Sequence, residues 1–409
     1  MTESWDAVVI GAGAAGLMAA IAASERGRRI LVLEKNRKPG VKILMSGGTR
    51  CNITHDCENR DIVKAFGPNG SFLHAPLAHF GVREVIQFFQ GEGVATKVED
   101  TGKIFPVSNK AADVLEALVK RVQRVGAQLA LEESVTELKK DSLGFEIVTT
   151  RRTMQIPKVL LTTGGQSYPG CGTRGEGFAF VSQLGHTIVP PKPALVPIQV
   201  QADWVGELRG ITLPDVSLKV LENGKTLSSR RSGFLMAHFG LTGPAPLDVS
   251  KSISRHPQPG SLLLEIDFLP AMSENQFDEF LQKESLASGK KQLAVVLSEL
   301  LPRRLADMSL LQTGLQVDRK AAGLSKADRL KLVQWIKKLR IPIRGTLGFE
   351  KAEVTTGGVN LKEVDSRDMQ SKIVPGLYLA GEILDLDGPI GGYNFQSAWS
   401  TGHLAGANL

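Results

Sequence analysis

Cysteine is scarce in this chain. The 409 residues hold three, Cys51, Cys57 and Cys171, with no CxxC pair and no spacing suited to zinc. That excludes a disulfide framework, a disulfide reductase of the ordinary kind and a structural metal site, so no metal is expected. It also fits a reducing, cytoplasmic setting, in which the sequon at Asn52 to Thr54 is accidental. Long apolar runs are missing as well. The longest near the start, Ala7 to Ala23, is interrupted by Gly11, Gly13 and Gly16 and preceded by Glu3 and Asp6. It therefore lacks the basic leader of a signal peptide and falls short of the ~20 apolar residues of a membrane span. Neither an internal repeat nor a low-complexity linker is present. Hydrophobic residues at 42% and charged residues at 22% exclude disorder. The length exceeds one ordinary domain, which predicts two or three structural units.

What the chain has in abundance is glycine, 43 residues, and an uneven distribution of charge. The formal net charge of +7 resides in Pro190 to Gly345, where 22 Lys and Arg face 15 Asp and Glu; the remainder is neutral. Within it, Arg319 to Arg344 holds nine basic residues against Asp328 alone. SKADRLKLVQWIKKLR in this stretch reads as helix, with Leu332, Ile336 and Leu339 spaced to face a core. Its basic side is either a solvated face or a phosphate-contacting face for nucleic acid.

The coarse pattern is α/β. WDAVVIGAGAAGLMAAIAASERGRRILVLEK reads as strand, glycine turn, helix and strand, a βαβ unit. Helices are predicted near Val82 to Gly91 and over Ala111 to Arg124, followed by strands up to MQIPKVLLTTGG. After Pro190, Pro191, Pro193 and Pro197 come short alternating strands, VPIQVQ, VSLKVLENGK and SLLLEIDFLP, which suggest a small β-barrel or sandwich. Ser273 to Lys338 reads as helical. A strand and a glycine-rich loop return at AEVTTGGV and GLYLAGEIL, and the chain ends in a helix from Asn394. The predicted domains are 1–190 and 346–409, forming one α/β domain, with 191–272 as an inserted β unit and 273–345 as an inserted helical, basic unit.

Gly11, Gly13, Ala14, Ala15 and Gly16 lie between a strand and the mouth of a helix, the placement a dinucleotide pyrophosphate requires. Gly11 permits the turn, Gly13 lets the backbone approach phosphate, and Gly16 allows close packing of helix on strand. Glu34, followed by Lys35, ends the second strand 18 residues past Gly16. Its carboxylate suits a ribose diol and repels a 2′-phosphate, which points to FAD or NAD. A second glycine-rich element near the C-terminus favours FAD, whose isoalloxazine lies far from its adenine. In that element Gly381, Glu382, Asp387, Gly391, Gly392, Tyr393 and Asn394 are candidates for the ribityl chain and pyrimidine edge. GVKILMSGGTRCN, directly after the second strand, adds Lys42, Ser46, Gly47, Gly48, Arg50, Cys51 and Asn52; Val135, Thr163, Gly164 and Gly165 complete the cofactor-binding set. Cys51 is either a buried structural thiol or an acid or redox thiol. Gly164, Gly165 and Gly170 lack the spacing of a second nucleotide fingerprint, so NAD(P)H docks transiently or another donor serves.

These segments, SGGTRCNIT, TTGGQSYPGCGTRGEGF, FLMAHFGLTGPAPL, EVTTGGVN and GLYLAGEILDLDGPIGGYNFQSAWSTG, resemble the BaiN/RdsA, or YhiN-type, FAD-dependent oxidoreductases. The likeness covers nearly the whole chain. One departure is Thr49, where the family usually has glycine. The resemblance implies a two-dinucleotide-binding-domain, glutathione-reductase-like FAD domain interrupted by a β-barrel and a helical domain. It also implies reduction of an activated C=C bond, either a uridine of large-subunit (23S) ribosomal RNA to dihydrouridine or a steroid-like bile acid. Cys51, Tyr393 and His238 are the proton-donor candidates by residue type, and Tyr168 beside Pro169 is placed to stack on a ligand. A flavin-bearing RNA-binding or redox-sensing module without turnover is the non-enzymatic alternative. Partners are thus ribosomal RNA or a small molecule, with no membrane.

Overall fold

The computed structural model describes residues 4–287 and 289–409. The chain divides into two compact units, residues up to Pro193 together with Glu353–Leu409, and Ala194–Ala352.

The first unit is built on a five-stranded parallel sheet. Its strand order is Leu377–Leu379, Val159–Leu161, Ala7–Ile10, Ile30–Leu33 and Gln128–Ala130. Val9 sits between Leu160 and Val32, and every residue of Ala7–Ile10 and Ile30–Leu33 is buried. Such uninterrupted apolar runs are what a parallel sheet covered on both faces requires. The helix Ala14–Ser24 follows the first strand and is buried along nearly its whole length. It is covered by the terminal helix Tyr393–Asn408. Two glycines permit that contact: a Cβ on Gly402 would lie 2.4 Å from the Ala15 carbonyl oxygen, and one on Gly406 2.1 Å from that of Ala19. The helix Ala111–Arg124 is amphipathic, burying Ala111, Val114, Ala117, Leu118 and Val122. Three antiparallel strands, Val135–Lys140, Phe145–Thr149 and Thr153–Ile156, form a separate small sheet.

The second unit contains a closed barrel of Ile198–Val200, Gly240–Thr242, Lys225–Ala237, Thr212–Glu222, Leu263–Asp267 and Leu339–Thr346. Four helices, Glu274–Ala287, Leu293–Leu297, Arg303–Gln312 and Lys326–Lys338, follow the fifth of these strands. The last two differ from the predicted pattern. LAVVLSELLPRRLADM is broken at Pro302, which precedes the first turn of Arg303–Gln312. The basic helix stops at Lys338, and Leu339–Thr346 is a barrel strand with Ile341 and Ile343 inward and Arg340, Pro342 and Arg344 outward. Barrel and helices share one core, in which Leu264, Ile266, Phe277, Leu297, Leu332, Ile336 and Ile343 are all buried. The predicted division at residues 272 and 345 therefore falls within a single packed body, because the final strand closes the barrel only after the helices.

Two predictions follow from the helix pair. Replacing an exposed helical glycine by alanine ordinarily stabilises a helix by about 1 kcal/mol. Gly402→Ala is expected to do the reverse, lowering stability by about 1–3 kcal/mol in chemical denaturation, since the new methyl has only backbone to displace. His403, on the same helix, stacks on Phe80 with ring centroids 4.1 Å apart, and its Nδ1 is buried without a hydrogen-bond partner. Burial, then the charges of His79 and Arg26, push its pKa from 6.5 down to about 4. The unfolded chain binds the proton first, so stability is complete above pH 6.5 and falls by about 3 kcal/mol as pH drops to 4. His403→Phe should remove that acid limb from the denaturation midpoint measured between pH 7 and 4.

Candidate functional site

The glycine turn after the first strand has the geometry of a phosphate cradle. Gly11 adopts φ 106° and donates to the Leu33 carbonyl, and a Cβ on Gly16 would lie 1.9 Å from the Gly11 oxygen. A Cβ on Gly13 would meet nothing within 4 Å, and the helix beginning at Ala14 carries no side-chain cap. The helix start thus has no side-chain partner and open space beside Gly13, the arrangement that receives an anion. Ala14 opens the helix, whereas Ala15 is spent on packing against Gly402 and Gly381. Glu34 is buried at the strand end and shapes the turn: Oε2 accepts from Ala12 N–H at 2.8 Å and Oε1 from Asn36 N–H at 2.9 Å. Lys35 is in an ion pair with Glu176. A cavity of about 520 Å³ is lined by Val135 to Lys139, Glu176, Ala179, Phe180 and Gln183. Val135 thus belongs with the Lys35–Glu176 end.

The GVKILMSGGTRCN segment opens as a helix at Val41, unforeseen from its glycine content, and leaves helical geometry at Ser46. Gly47, Gly48 and Thr49 then take φ 55°, 66° and 69°, so the residue that departs from the family's usual glycine still adopts the glycine-like conformation. Arg50 lies over the Phe105 ring at 4.0 Å and pairs with Glu99 at 2.6 Å. Cys51 is fully buried, and burial pushes its thiol up to about 12 against a small opposing effect of a Ser46 hydrogen bond. This placement is that of a structural thiol rather than an exposed acid or redox group.

The C-terminal glycine-rich element returns to this same segment. With its amide oriented to satisfy both sides, Asn52 accepts from Gly392 N–H at 3.0 Å and donates to the Thr54 carbonyl at 2.9 Å. His55 Nδ1 lies 3.0 Å from the Gly391 oxygen, and its ring stacks on Tyr393 at 4.7 Å. Trp399 Nε1 donates to the Ile53 carbonyl at 2.9 Å. Asn394 clamps its own loop, donating to the Gly388 carbonyl and accepting from Gly388 N–H, both at 2.9 Å. Asp387 accepts from Thr356 Oγ1 at 2.7 Å. Glu382 is held by Lys42 at 2.5 Å and by Ser167 Oγ and Thr355 N–H at 2.7 Å each. In TTGG, Gly165 packs against Thr355, Gly164 has φ 73°, and the Thr163 hydroxyl is buried without a partner in the protein.

His55, Ser167 and Thr355 are site residues that sequence reasoning missed. His55 directly follows the quoted SGGTRCNIT motif, and Ser167 and Thr355 lie inside the quoted TTGGQSYPGCGTRGEGF and EVTTGGVN segments, which were the available signals; the pairing of these two with Glu382 comes from tertiary contacts. Of the proton-donor candidates, Cys51 and Tyr393 lie in the first unit. His238 lies in the second, exposed at the tip of a two-residue hairpin between Lys225–Ala237 and Gly240–Thr242. Tyr168 is partly exposed with φ 56°, next to Pro169.

The profile of the HI0933-like protein Rossmann domain family matches residues 5–408. The chain belongs to this family. It is 34% identical over 410 residues to the ribosomal RNA dihydrouridine synthase of Escherichia coli (strain K12), covering 100% of this chain and 98% of that protein. It is 32% identical to the ribosomal RNA dihydrouridine synthase of Haemophilus influenzae, covering 100% and 99%. Identity to the 3-dehydro-bile acid delta(4,6)-reductase of Clostridium scindens is also 32%, with 97% of each covered. Among solved structures, 3-ketosteroid delta1-dehydrogenase from Sterolibacterium denitrificans aligns with TM-score 0.54 at 13% identity, covering 99% of both chains. The 3-ketosteroid-delta4-(5alpha)-dehydrogenase of Rhodococcus jostii RHA1 aligns with TM-score 0.52 at 15% identity, covering 100% of this chain and 98% of that one. These two show a shared α/β fold of the Rossmann type. Among the described residues, no cluster of His, Cys, Asp and Glu is placed to hold a metal, and no helix is long and apolar enough to cross a membrane.

Half of the formal +8 of Arg319 to Arg344 is offset by carboxylates from outside the segment. Arg319 pairs with Asp328, Arg329 with Asp278, buried Lys337 with Asp267, Lys338 with Glu274 and Arg340 with Glu265. The basic character that its sequence suggests is therefore reduced, with Lys320, Lys326, Lys331 and Arg344 exposed.

All three thiols are shifted upward, Cys51 to about 12, Cys57 to about 11 and Cys171 in the same direction, each chiefly by burial. Iodoacetamide at pH 8 is expected to label the native protein slowly at every cysteine and the denatured protein fully, as read by intact-mass spectrometry.

Proposed function

We propose that this chain is an FAD-dependent oxidoreductase that reduces a uridine of 23S ribosomal RNA to dihydrouridine, with NAD(P)H docking transiently as reductant. The observation that carries the reading is the full-length match, at 34% identity, to a ribosomal RNA dihydrouridine synthase. The residues present fit FAD. The uncapped helix start at Gly13 and Ala14 suits its pyrophosphate, Glu34 its adenosine ribose, and the Thr163 hydroxyl is a buried polar group without a partner in the protein. When bound, reduced flavin supplies the hydride for an activated C=C bond.

The chain's own part is to bind, orient and deliver a proton. Gly391 and Gly392, fixed by His55 and Asn52, would hold the pyrimidine edge of the ring. The Tyr393 phenol, half-buried and stacked on His55, is the proton donor we assign, since Cys51 is sealed in the core. The inserted barrel with its helices is the unit we assign to substrate recognition. A second reading, a small-molecule ene-reductase, is favoured by the 32% identity to the bile-acid reductase.

The purified protein should be yellow, or become so on incubation with FAD, and rRNA mapped by mass spectrometry should lose one dihydrouridine when the gene is deleted. An unchanged map, together with rapid reoxidation of the reduced protein by an unsaturated steroid, would replace the first reading by the second. Tyr393→Phe should cut turnover by about 10²-fold or more while leaving the flavin spectrum in place.

A further inference from the structure

We propose that Lys42 is a positioning residue: it fixes the Glu382 carboxylate, and through it the 353–357 and 381–383 segments, and cancels the Glu382 charge beside the cofactor site. The inference rests on the flavin reading above and extends it to a residue whose action runs through another.

Four groups from distant parts of the sequence meet at one point. Lys42 Nζ donates to Ser167 Oγ at 2.7 Å and to Glu382 Oε2 at 2.5 Å. Ser167 Oγ donates to Glu382 Oε1 at 2.7 Å, and Thr355 N–H donates to the same oxygen at 2.7 Å. Thr355 Oγ1 in turn accepts from Gln166 N–H at 2.8 Å and Ser167 N–H at 3.0 Å. Ser167 and Thr355 are fully buried, whereas the side chains of Lys42 and Glu382 retain 29% and 20% of their exposure. A carboxylate in such a place needs its donors, because a partly desolvated charge left alone is costly. Lys42 is the single cation among those three donors.

The same geometry gives Lys42 an electrostatic task. It projects from the helix that runs into the Ser46–Cys51 turn, while Glu382 follows Gly381, which packs on Ala15 at the phosphate turn. An uncompensated carboxylate there would oppose the negative charge that a flavin gains on reduction. Neutralising it keeps the site hospitable to the reduced cofactor.

Three variants test this: Lys42→Met, Lys42→Arg and the double variant Lys42→Met with Glu382→Gln. In hydrogen exchange of the flavin-free protein, Lys42→Met should speed exchange of the Thr355 amide by tenfold or more, with Lys42→Arg recovering most of the protection. In the FAD-loaded protein, Lys42→Met should weaken reduced flavin relative to oxidised by at least tenfold, a fall of about 30 mV in the two-electron midpoint potential. The double variant, neutral at both positions, should bring the potential back toward wild type even where exchange stays fast. Thr355 exchange within twofold of wild type in Lys42→Met, or an unmoved potential in that variant, would overturn the proposal. Should wild-type protein take up no flavin, it is the cofactor reading that fails, and the exchange arm still decides the positioning role.

Discussion

The contact of the terminal helix with the first helix is the constraint on which the rest of the first unit depends. Ala15 and Ala19 receive the backbone of Gly402 and Gly406 with no room for another carbon. The same Ala15 is the wall against which Gly381 packs, and Gly381 N–H donates to Thr401 Oγ1 on the terminal helix at 3.0 Å. One helix pair therefore fixes both the glycine turn at Gly11 to Gly16 and the start of the Gly381 to Gly392 loop. Residues nearly four hundred positions apart are brought to one place by the loss of side chains together with a few hydrogen bonds. Close packing of this kind tolerates little change in volume, which makes the relative placement of the two loops a property of the core.

Polar groups around that contact divide into two kinds. The Thr54, Gln396 and Ser400 chain is buried and neutral: Thr54 Oγ1 donates to Gln396 Oε1 at 2.5 Å, Gln396 Nε2 donates to Ser400 Oγ at 2.9 Å, and Ser400 Oγ donates to the Phe80 carbonyl at 2.6 Å. Each donor has an acceptor, so the network rigidifies the interior at small desolvation cost. The carboxylates are the other kind: Glu34 and Asp387 are buried and held by donors, while Lys42 and Glu382 form a pair that keeps partial exposure.

Much of the first unit was legible from local pattern. The strand, turn and helix of residues 7–24 combine a buried apolar run with glycines whose positions have a steric meaning, and Ala111–Arg124 shows a clean helical period. The strand Leu339–Thr346 was obscured because a strong basic helix runs directly into it, although Ile341 and Ile343 alternate with Arg340, Pro342 and Arg344 at the period of two. The helix beginning at Val41 was hidden by Gly47 and Gly48, which end it rather than exclude it. Ser167 and Thr355 carried no motif that marks them as partners of Lys42. Their roles arise from a return of the chain that no local window contains. Cys51, open on sequence between a structural and a reactive thiol, is fully buried in the fold.

Charge counting on the sequence overstated the local field of one segment of the second unit for a related reason. A run with nine cations and one anion suggests a field that reaches out to phosphates, yet field depends on spatial neighbours. Asp278, Glu274, Glu265 and Asp267 come from other elements and lie against Arg329, Lys338, Arg340 and Lys337. An ion pair closed to within about 3 Å acts at a Debye length of roughly 8–10 Å as a dipole, and its pull on a phosphate falls away accordingly. The excess of seven positive charges over Pro190 to Gly345 survives this compensation, since pairing redistributes charge without removing it. Attraction for a polyanion is therefore a property of the unit's net charge and acts at long range on encounter, while selection of one base must come from contacts that charge alone does not specify.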